Sequence, residues 1–149
     1  MATRAAAAVD LGAIASSWFQ RVWNEKQIDA IDELSHPDVV IHAPSVGIEK
    51  AEGPAAFKEI ARGLYDAIPD VHISVDEVLV DGDRVALRLT VEGTHTGAGM
   101  GIPPTGKRFR IGGLALGRYS GGKLVEGWNS FDNLGFLAQL GLVALPAVR

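Results

Sequence analysis

The chain of 149 residues is 47% hydrophobic and 21% charged, a balance typical of one globular domain, 1–149, with a sizeable core. This composition excludes a disordered chain, and no stretch approaches the 18 uncharged apolar residues of a membrane-spanning helix. The net charge of −4 argues against a nucleic-acid partner, for which a basic stripe is expected. The absence of cysteine excludes disulfide bonds and thiolate chemistry. Residues 1–8 are followed by no apolar segment of the kind that a secretory signal needs, so we expect a cytoplasmic protein.

Apolar residues at helical spacing predict three helices in the first half of the chain. The first is amphipathic and begins near Asp10, and the second is stopped by Pro37, which cannot continue a helix. Pro54 is well placed in the first turn of the third helix, which ends before Pro69. A β-branched run predicts a short strand between the second and third helices. The predicted bounds are 10–24 and 27–34 for the first two helices, 38–43 for the strand and 54–68 for the third helix.

From Val71 onward the apolar period changes from 3.6 to 2, which is typical of half-buried strands. Asp81-Gly82 and Gly121-Gly122 are short hairpin signals, and a loop rich in glycine and proline separates the two hairpins. The predicted strands cover 71–80, 84–95, 107–119 and 123–131, and a closing helix covers 133 to about 140. Helices followed by an antiparallel meander predict an α+β fold. A helical layer on a curved sheet forms a cone, whose central pocket would hold a hydrophobic small molecule.

Several motifs in this sequence resemble one known family. They are GTHTG at 93–97, GIPPTG at 101–106 and GKLVEGW at 122–128, together with HPD at 36–38 and GPAAF at 53–57. Taken together they resemble the SnoaL-like polyketide cyclases of the nuclear-transport-factor-2-like superfamily, over nearly the whole chain. The resemblance implies a cystatin-like α+β barrel, in which N-terminal helices pack on a curved antiparallel sheet around a pocket.

The resemblance also implies a reaction, intramolecular aldol condensation without metal or organic cofactor. In such cyclases an Asp on the last strand is the general acid/base, and a His on the preceding strand assists it. With Arg118 and Gly122 as anchors, the Asp position falls on Asn129 and the His position on Ala115. An amide cannot accept or release a proton near neutral pH, but it can donate a hydrogen bond to a carbonyl or enolate oxygen. Asn129 is therefore expected to stabilise charge and not to move protons.

Three further residues are candidates for the chemistry. Histidine is the residue type best suited to proton transfer at neutral pH, so such a step would recruit His42 or His95. The competing interpretations are a structural role for His42 and the anchoring of a loop for His95. Asp132 matches a second carboxylate of the family, but it also precedes the last helix, where Asp is a favoured N-cap. No spacing of His, Asp and Glu predicts a metal site.

Strand alternation predicts which side chains line the pocket. The inward wall is unusually small, because it carries glycine at 113, 117 and 127 in addition to Ala115. Either the cavity is larger than in the cyclases, or bulky helix residues fill it. The predicted substrate-binding residues are Trp23, Ile60, Ala115, Tyr119 and Phe131. For Trp23 and Ile60, the competing interpretation is that they are plain core residues.

Two other functions remain open. The first is a ligand-binding protein without catalysis, which the loss of the family's acid/base pair favours. The second is water addition to an epoxide, which needs a carboxylate–arginine–carboxylate set, and only Arg88 with Asp132 or Asp38 could supply parts of it. The leading hypothesis is a cofactor-independent cyclase or isomerase.

The sheet is predicted to be apolar on its second face as well. Leu114, Leu116 and Trp128 point away from the pocket, and Leu87 and Leu89 are expected to join them. A sheet that is apolar on both faces needs a second cover, and one helical layer provides only one. This pattern predicts a homodimer that packs through the outer sheet face, and the uncharged tail 140–148 is expected to contribute.

Overall fold

The computed structural model describes residues 9–147. The predictions that concern residues 1–8 and Val148 therefore lie outside the described residues. Ten helices and strands and one π-helical segment follow one another in the order that the sequence predicts, apart from one additional strand. In chain order they are α1 (Leu11–Trp18), a π-helical segment (Phe19–Asn24), α2 (Ala30–Leu34), β1 (Ser35–Ser45), β2 (Ile48–Glu52), α3 (Gly53–Ala67), β3 (His72–Asp81), β4 (Arg84–Thr94), β5 (Arg108–Ser120), β6 (Lys123–Phe131) and α4 (Asn133–Gln139).

The strands form one curved, unclosed sheet in the order β2-β1-β6-β5-β4-β3. All neighbours are antiparallel except β1 and β6, which are parallel and bring the two halves of the chain together at the centre of the sheet. The helices pack on one face of this sheet and enclose the core between the two layers. The predicted α+β cone is confirmed.

The first helix begins where it was predicted to begin. The Asp10 carboxylate accepts a hydrogen bond from the N–H of Ala13 at 3.0 Å and so caps α1. The helix then widens into the π-helical segment, a form often found at functional sites. At its end the Asn24 amide binds the backbone of Ile73, donating to the carbonyl at 2.9 Å and accepting from the N–H at 2.7 Å. Asn24 thereby joins the N-terminal helix to the outermost strand.

The edge of the sheet differs from the prediction. The first strand is longer than 38–43, and Pro37 lies inside it at an irregularity in the pairing with β6, where no ladder hydrogen bond is lost. The second helix is shorter than 27–34. Strand β2 was not predicted, because only Ala51 in its sequence Ile-Glu-Lys-Ala-Glu is buried and no apolar alternation marks it. Gly47, with φ +75°, makes the turn that joins it to β1.

The loop between β4 and β5 is docked tightly on α3. The backbone N–H groups of Thr96 and Gly97 both donate to the carbonyl of Ala67, at 2.9 and 3.1 Å. A Cβ on Gly97 would lie 2.0 Å from the carbonyl oxygen of Asp66, and one on Gly99 would lie 2.1 Å from that of Gly63. These contacts bring the two backbones closer than any side chain would allow, and they hold the loop against the C-terminal half of α3.

The outer face of the sheet corrects one prediction. Leu114 and Trp128 face outward as expected, and Leu114 is 59% exposed. Leu87 and Leu89 are buried on the inner face instead, because they pair across the strands with the inward-facing Ala115 and Gly113. The outer apolar groove is formed by Leu79, Ala86, Leu114, Leu116 and Trp128.

Candidate functional site

A cavity of about 120 Å³ lies between the helices and the inner face of the sheet. Its lining is mostly aromatic and aliphatic. The polar residues that line it are Ser45, Tyr119, Asn129 and Asn133, and no Asp, Glu, His, Lys or Arg of the described chain does so. The cavity therefore offers neutral hydrogen-bonding groups in an apolar surface, which is the usual form of a small-molecule site.

The helical side of the cavity is an aromatic cluster. The ring centroid of Phe57 lies 5.3 Å from that of Trp18 and 5.9 Å from that of Trp23, the latter in an edge-to-face arrangement. Trp23 lines the cavity, in the position predicted for a substrate-binding residue. Ile60 does not line it but packs against the core, because it is rotated about the axis of α3 relative to the lining residues Phe57 and Leu64.

Asn129, to which the sequence resemblance assigns the position of the cyclases' carboxylate, lies on the sheet side of the cavity. It faces Ala115 directly across the β5–β6 pair, and both residues line the cavity. The Asn129 side chain is half-buried, and no described residue forms a hydrogen bond with its amide. Its donor and acceptor atoms are therefore free to bind a ligand.

The glycines of the sheet wall do not enlarge the cavity as much as their small size would allow. A Cβ on Gly113 would lie 2.2 Å from Cδ1 of Phe131, and a Cβ on Gly117 would lie 2.7 Å from Cε2 of Tyr119. The two rings thus lie directly on the glycines and fill much of the space above them. Two residues of the sheet therefore fill this space, whereas filling by bulky helix residues was one of the two alternatives from the sequence. Both Phe131 and Tyr119 line the cavity, as the sequence predicts.

Tyr119 is the one titratable residue among the described lining residues. It is 7% exposed, and burial raises the pKa of its phenol to about 12, because the phenolate loses its hydration inside the protein. At neutral pH the hydroxyl therefore keeps its proton. It is suited to donate a hydrogen bond and not to act as a base.

This pKa leads to a prediction about alkaline stability. The unfolded chain loses the Tyr119 proton near its ordinary pKa of 10, whereas the folded chain keeps it up to about 12. The contribution of the neutral phenol to the free energy of unfolding is therefore fully present below pH 10 and is lost as the pH rises toward 12. We expect denaturant titrations of Tyr119→Phe to show a smaller loss of stability over this range than those of the wild type. An equal loss in both proteins would contradict the assignment.

His42 lies on the outer face of the sheet, not in the cavity. Its neighbour Ile41 points inward, so the alternation of β1 turns His42 outward. Its ring is stacked on Trp128 with centroids 5.5 Å apart, and Nε2 is 2.8 Å from the Glu126 carboxylate. The hydrogen bond from His42 lowers the pKa of Glu126, and Arg118 at 3.3 Å adds to this effect against partial desolvation.

His95 is fully buried beneath the β4–β5 loop and does not line the cavity. Its Nδ1 accepts the N–H of Thr105 at 3.3 Å and contacts the Thr105 hydroxyl at 3.1 Å, while Nε2 has no partner among residues 9–147. The backbone of His95 is bonded to Gly106 and Lys107. These contacts match the interpretation of His95 as a loop anchor.

The carboxylates considered from the sequence also lie outside the cavity. Asp132 caps α4 by accepting the N–H of Gly135 at 2.8 Å. Arg88 lies on the outer face, 3.2 Å from Glu77 and 3.8 Å from Asp76. The carboxylate–arginine–carboxylate set of an epoxide hydrolase therefore does not face the cavity in this structure.

Two polar lining residues were missed from the sequence. Asn133 is the first residue of α4 and lies two positions after Phe131, so continued strand alternation would have placed it on the inner side. Ser45 ends β1, and the underestimated length of that strand concealed it.

Within residues 9–147, no group of three or more His, Cys, Asp or Glu residues could hold a metal ion. Over the same residues, no helix has the length and hydropathy needed to cross a membrane.

The comparisons with known proteins agree with this architecture. Residues 13–140 match the family described as SnoaL-like polyketide cyclase. The chain is 33% identical to nogalonic acid methyl ester cyclase of Streptomyces nogalater, over 80% of this chain and 89% of that protein. It is 30% identical to aklanonic acid methyl ester cyclase DnrD of Streptomyces peucetius, over 80% and 83%. The crystal structure of AclR, a putative hydroxylase from Streptomyces galilaeus, superimposes with a TM-score of 0.76 at 31% identity, covering 94% of this chain and 89% of that one. The chain therefore belongs to the SnoaL-like polyketide cyclase family.

Proposed function

We propose that the protein binds a largely apolar, uncharged polyketide-like molecule in this cavity and promotes ring closure or isomerisation at one of its carbonyl groups, without a cofactor. The observation that carries the proposal is the amide of Asn129, which has no hydrogen-bond partner among the described residues and lines an aromatic cavity opposite Ala115. The names of two relatives, both methyl ester cyclases, support the substrate class.

The chemistry assigned to the cavity is electrostatic. The Asn129 N–H group donates to the carbonyl oxygen on which negative charge develops as the α-proton passes to solvent water and an enolate forms, and a fixed donor in an apolar cavity stabilises that charge strongly. The enolate carbon then forms the new C–C bond at a second carbonyl group, whose oxygen takes a proton back from water. Tyr119 keeps its proton at neutral pH and serves as a second neutral polar group. The proposal assigns no proton transfer to His42, His95 or Asp132, because none of the three lines the cavity.

A second candidate is a ligand-binding protein without catalysis. It is favoured by one observation, the lack of a residue able to act as a base near neutral pH among the described lining residues. Both candidates require the same apolar, uncharged ligand, and they differ only in whether that ligand is converted.

The test uses the methyl ester of an aromatic polyketide acid together with the matching free acid. Placing a carboxylate in an uncharged cavity costs desolvation energy, so the ester should bind ~10-fold or more tightly. Products are separated by chromatography and identified by NMR, because an aldol ring closure leaves the mass unchanged. Conversion of the ester supports the enzyme, and tight binding without conversion supports the binding protein. Equal binding of acid and ester, or no binding of either, overturns both.

We also propose that the chain forms a homodimer through its outer sheet face. Leu79 and Leu114 are 63% and 59% exposed there, and the groove around them also carries Trp128. Arg88 and Glu77 lie at this groove, so a second copy related by a twofold axis can place opposite charges together.

Sedimentation tests the dimer directly. The wild type is expected to sediment as a dimer at micromolar concentration, and Leu114→Glu is expected to sediment as a monomer, because it places a charge in the apolar contact. Leu134→Glu is the matched control, since Leu134 is similarly exposed but lies on α4. A monomeric wild type would contradict the proposal.

A further inference from the structure

The ring of Phe131 occupies the space that a side chain at position 113 would need. A Cβ on Gly113 would lie 2.2 Å from Cδ1 and 2.7 Å from Cε1 of this ring, which real Cβ atoms do not approach. The two residues are direct partners in the β5–β6 pair, and both face the inner side of the sheet. Glycine at 113 is therefore what allows the Phe131 ring to lie flat against the wall.

Two other glycines of the same sheet, Gly112 and Gly127, do not have this role. A Cβ on Gly112, which points to the outer face, would have no atom closer than 3.9 Å. A Cβ on Gly127, in the inner wall, would make ordinary contacts of 3.7 Å to Leu124 and 3.8 Å to Ile41. Among the described glycines of the sheet, a close ring contact recurs only where Tyr119 lies on Gly117, and the contact of Phe131 with Gly113 is the tighter of the two.

Phe131 also lies beside the group proposed to bind the ligand. It follows Asn129 by two residues on the same face of β6, so the two side chains leave the sheet about 7 Å apart. This spacing sets the room that a fused-ring ligand has between the two side chains. A ligand whose carbonyl accepts a hydrogen bond from Asn129 therefore meets the Phe131 ring as it extends in the direction of α4.

We propose that Phe131, lying on Gly113, is a specificity-determining residue that limits how far a fused-ring ligand extends beyond Asn129. This proposal rests on the proposed function, because it assumes that the cavity holds the ligand. It adds a limit on the length of the ligand, which the polarity of the cavity does not impose. Removing the ring opens the space toward Asn133, where a longer ligand can enter.

The ligand test compares two uncharged quinones, 5-hydroxy-1,4-naphthoquinone with two rings and 1,8-dihydroxyanthraquinone with three. Binding is followed by quenching of tryptophan fluorescence, since Trp18 and Trp23 line the cavity, and the chain has no cysteine for the quinones to modify. The wild type is expected to prefer the smaller probe. Phe131→Ala is expected to shift the ratio of the two Kd values by ~10-fold toward the larger probe, and Phe131→Leu by less.

A stability test examines the contact without any ligand. Gly113→Ala is expected to lower the Tm by roughly 5 °C, because the methyl group displaces the ring, whereas Gly112→Ala changes it little. Within Phe131→Ala the same Gly113→Ala change should cost almost nothing, since the ring is gone.

The outcomes separate the two proposals. Binding of both probes to the wild type with an unchanged ratio in Phe131→Ala overturns the size limit and leaves the proposed function standing. Binding of neither probe by the wild type overturns both. Equal Tm losses for Gly113→Ala with and without the ring show that Phe131 does not rest on Gly113, and this also overturns the inference.

Discussion

Asn129→Ala is expected to slow the conversion of a polyketide methyl ester by ~10-fold or more, because it removes the donor that stabilises the developing enolate oxygen. The loss should fall mainly on kcat, since the charge exists only in the transition state. The measurement is steady-state kinetics of product formation. Ser130→Ala is the matched control, because Ser130 is the next residue of β6 and faces the outer groove.

A second substitution at position 129 introduces an ionisable group instead of removing the amide. Asn129→Asp restores an ionisable group of nearly the same size, and burial would tend to raise its pKa, as general catalysis requires. Because the partner is Ala115, we expect little aldol activity from Asn129→Asp alone and more when it is combined with Ala115→His. An Asn129→Ala variant with unchanged turnover and unchanged ligand affinity would show that Asn129 is only part of the wall.

Gly97→Ala is expected to destabilise the fold by about 3 kcal/mol, which corresponds to a Tm lower by about 6 °C or more. Its Cβ would lie 2.0 Å from the backbone oxygen of Asp66 and 2.8 Å from the attached carbon, so a whole segment of the loop or of α3 must move. Thermal unfolding followed by circular dichroism measures the effect.

Gly112→Ala is the control for this prediction. Both glycines have φ values that alanine adopts readily, so any difference between the variants comes from the steric contact alone. A Tm for Gly97→Ala equal to that of Gly112→Ala would show that the β4–β5 loop is not held on α3 in the way described. We also expect the displaced loop to move Met100, which lines the cavity.

The meander could be predicted from the sequence because its signals are local. Strand β6 spans 123–131 as predicted, since its turn glycines, Gly121 and Gly122, both adopt positive φ. The positions of Leu87 and Leu89 could not be predicted in this way. Their face depends on the register between β4 and β5, and a one-residue difference in that register exchanges inside and outside. The β4–β5 loop sets this register, and the sequence of the loop has no repeating pattern from which its geometry could be predicted.

The same distinction applies to the candidate site. The inward orientation of Asn129 and Ala115 is what the resemblance implies, strand alternation extends it to their neighbours, and both residues line the cavity in the structure. His42 was expected in the pocket because the resemblance places a polar pocket residue close to it, and a shift of one residue along a strand reverses the face. The seating of Phe131 on Gly113 depends on a side-chain rotamer, which no sequence pattern specifies.

Strand β6 is bonded on both sides, to β1 and to β5, through backbone groups that every residue except proline carries. Its hydrogen bonds therefore do not depend on which side chains project into the cavity. A different side chain at position 129 or 115 would leave this backbone pairing in place, so the chemical character of the cavity wall can change while the chain still folds.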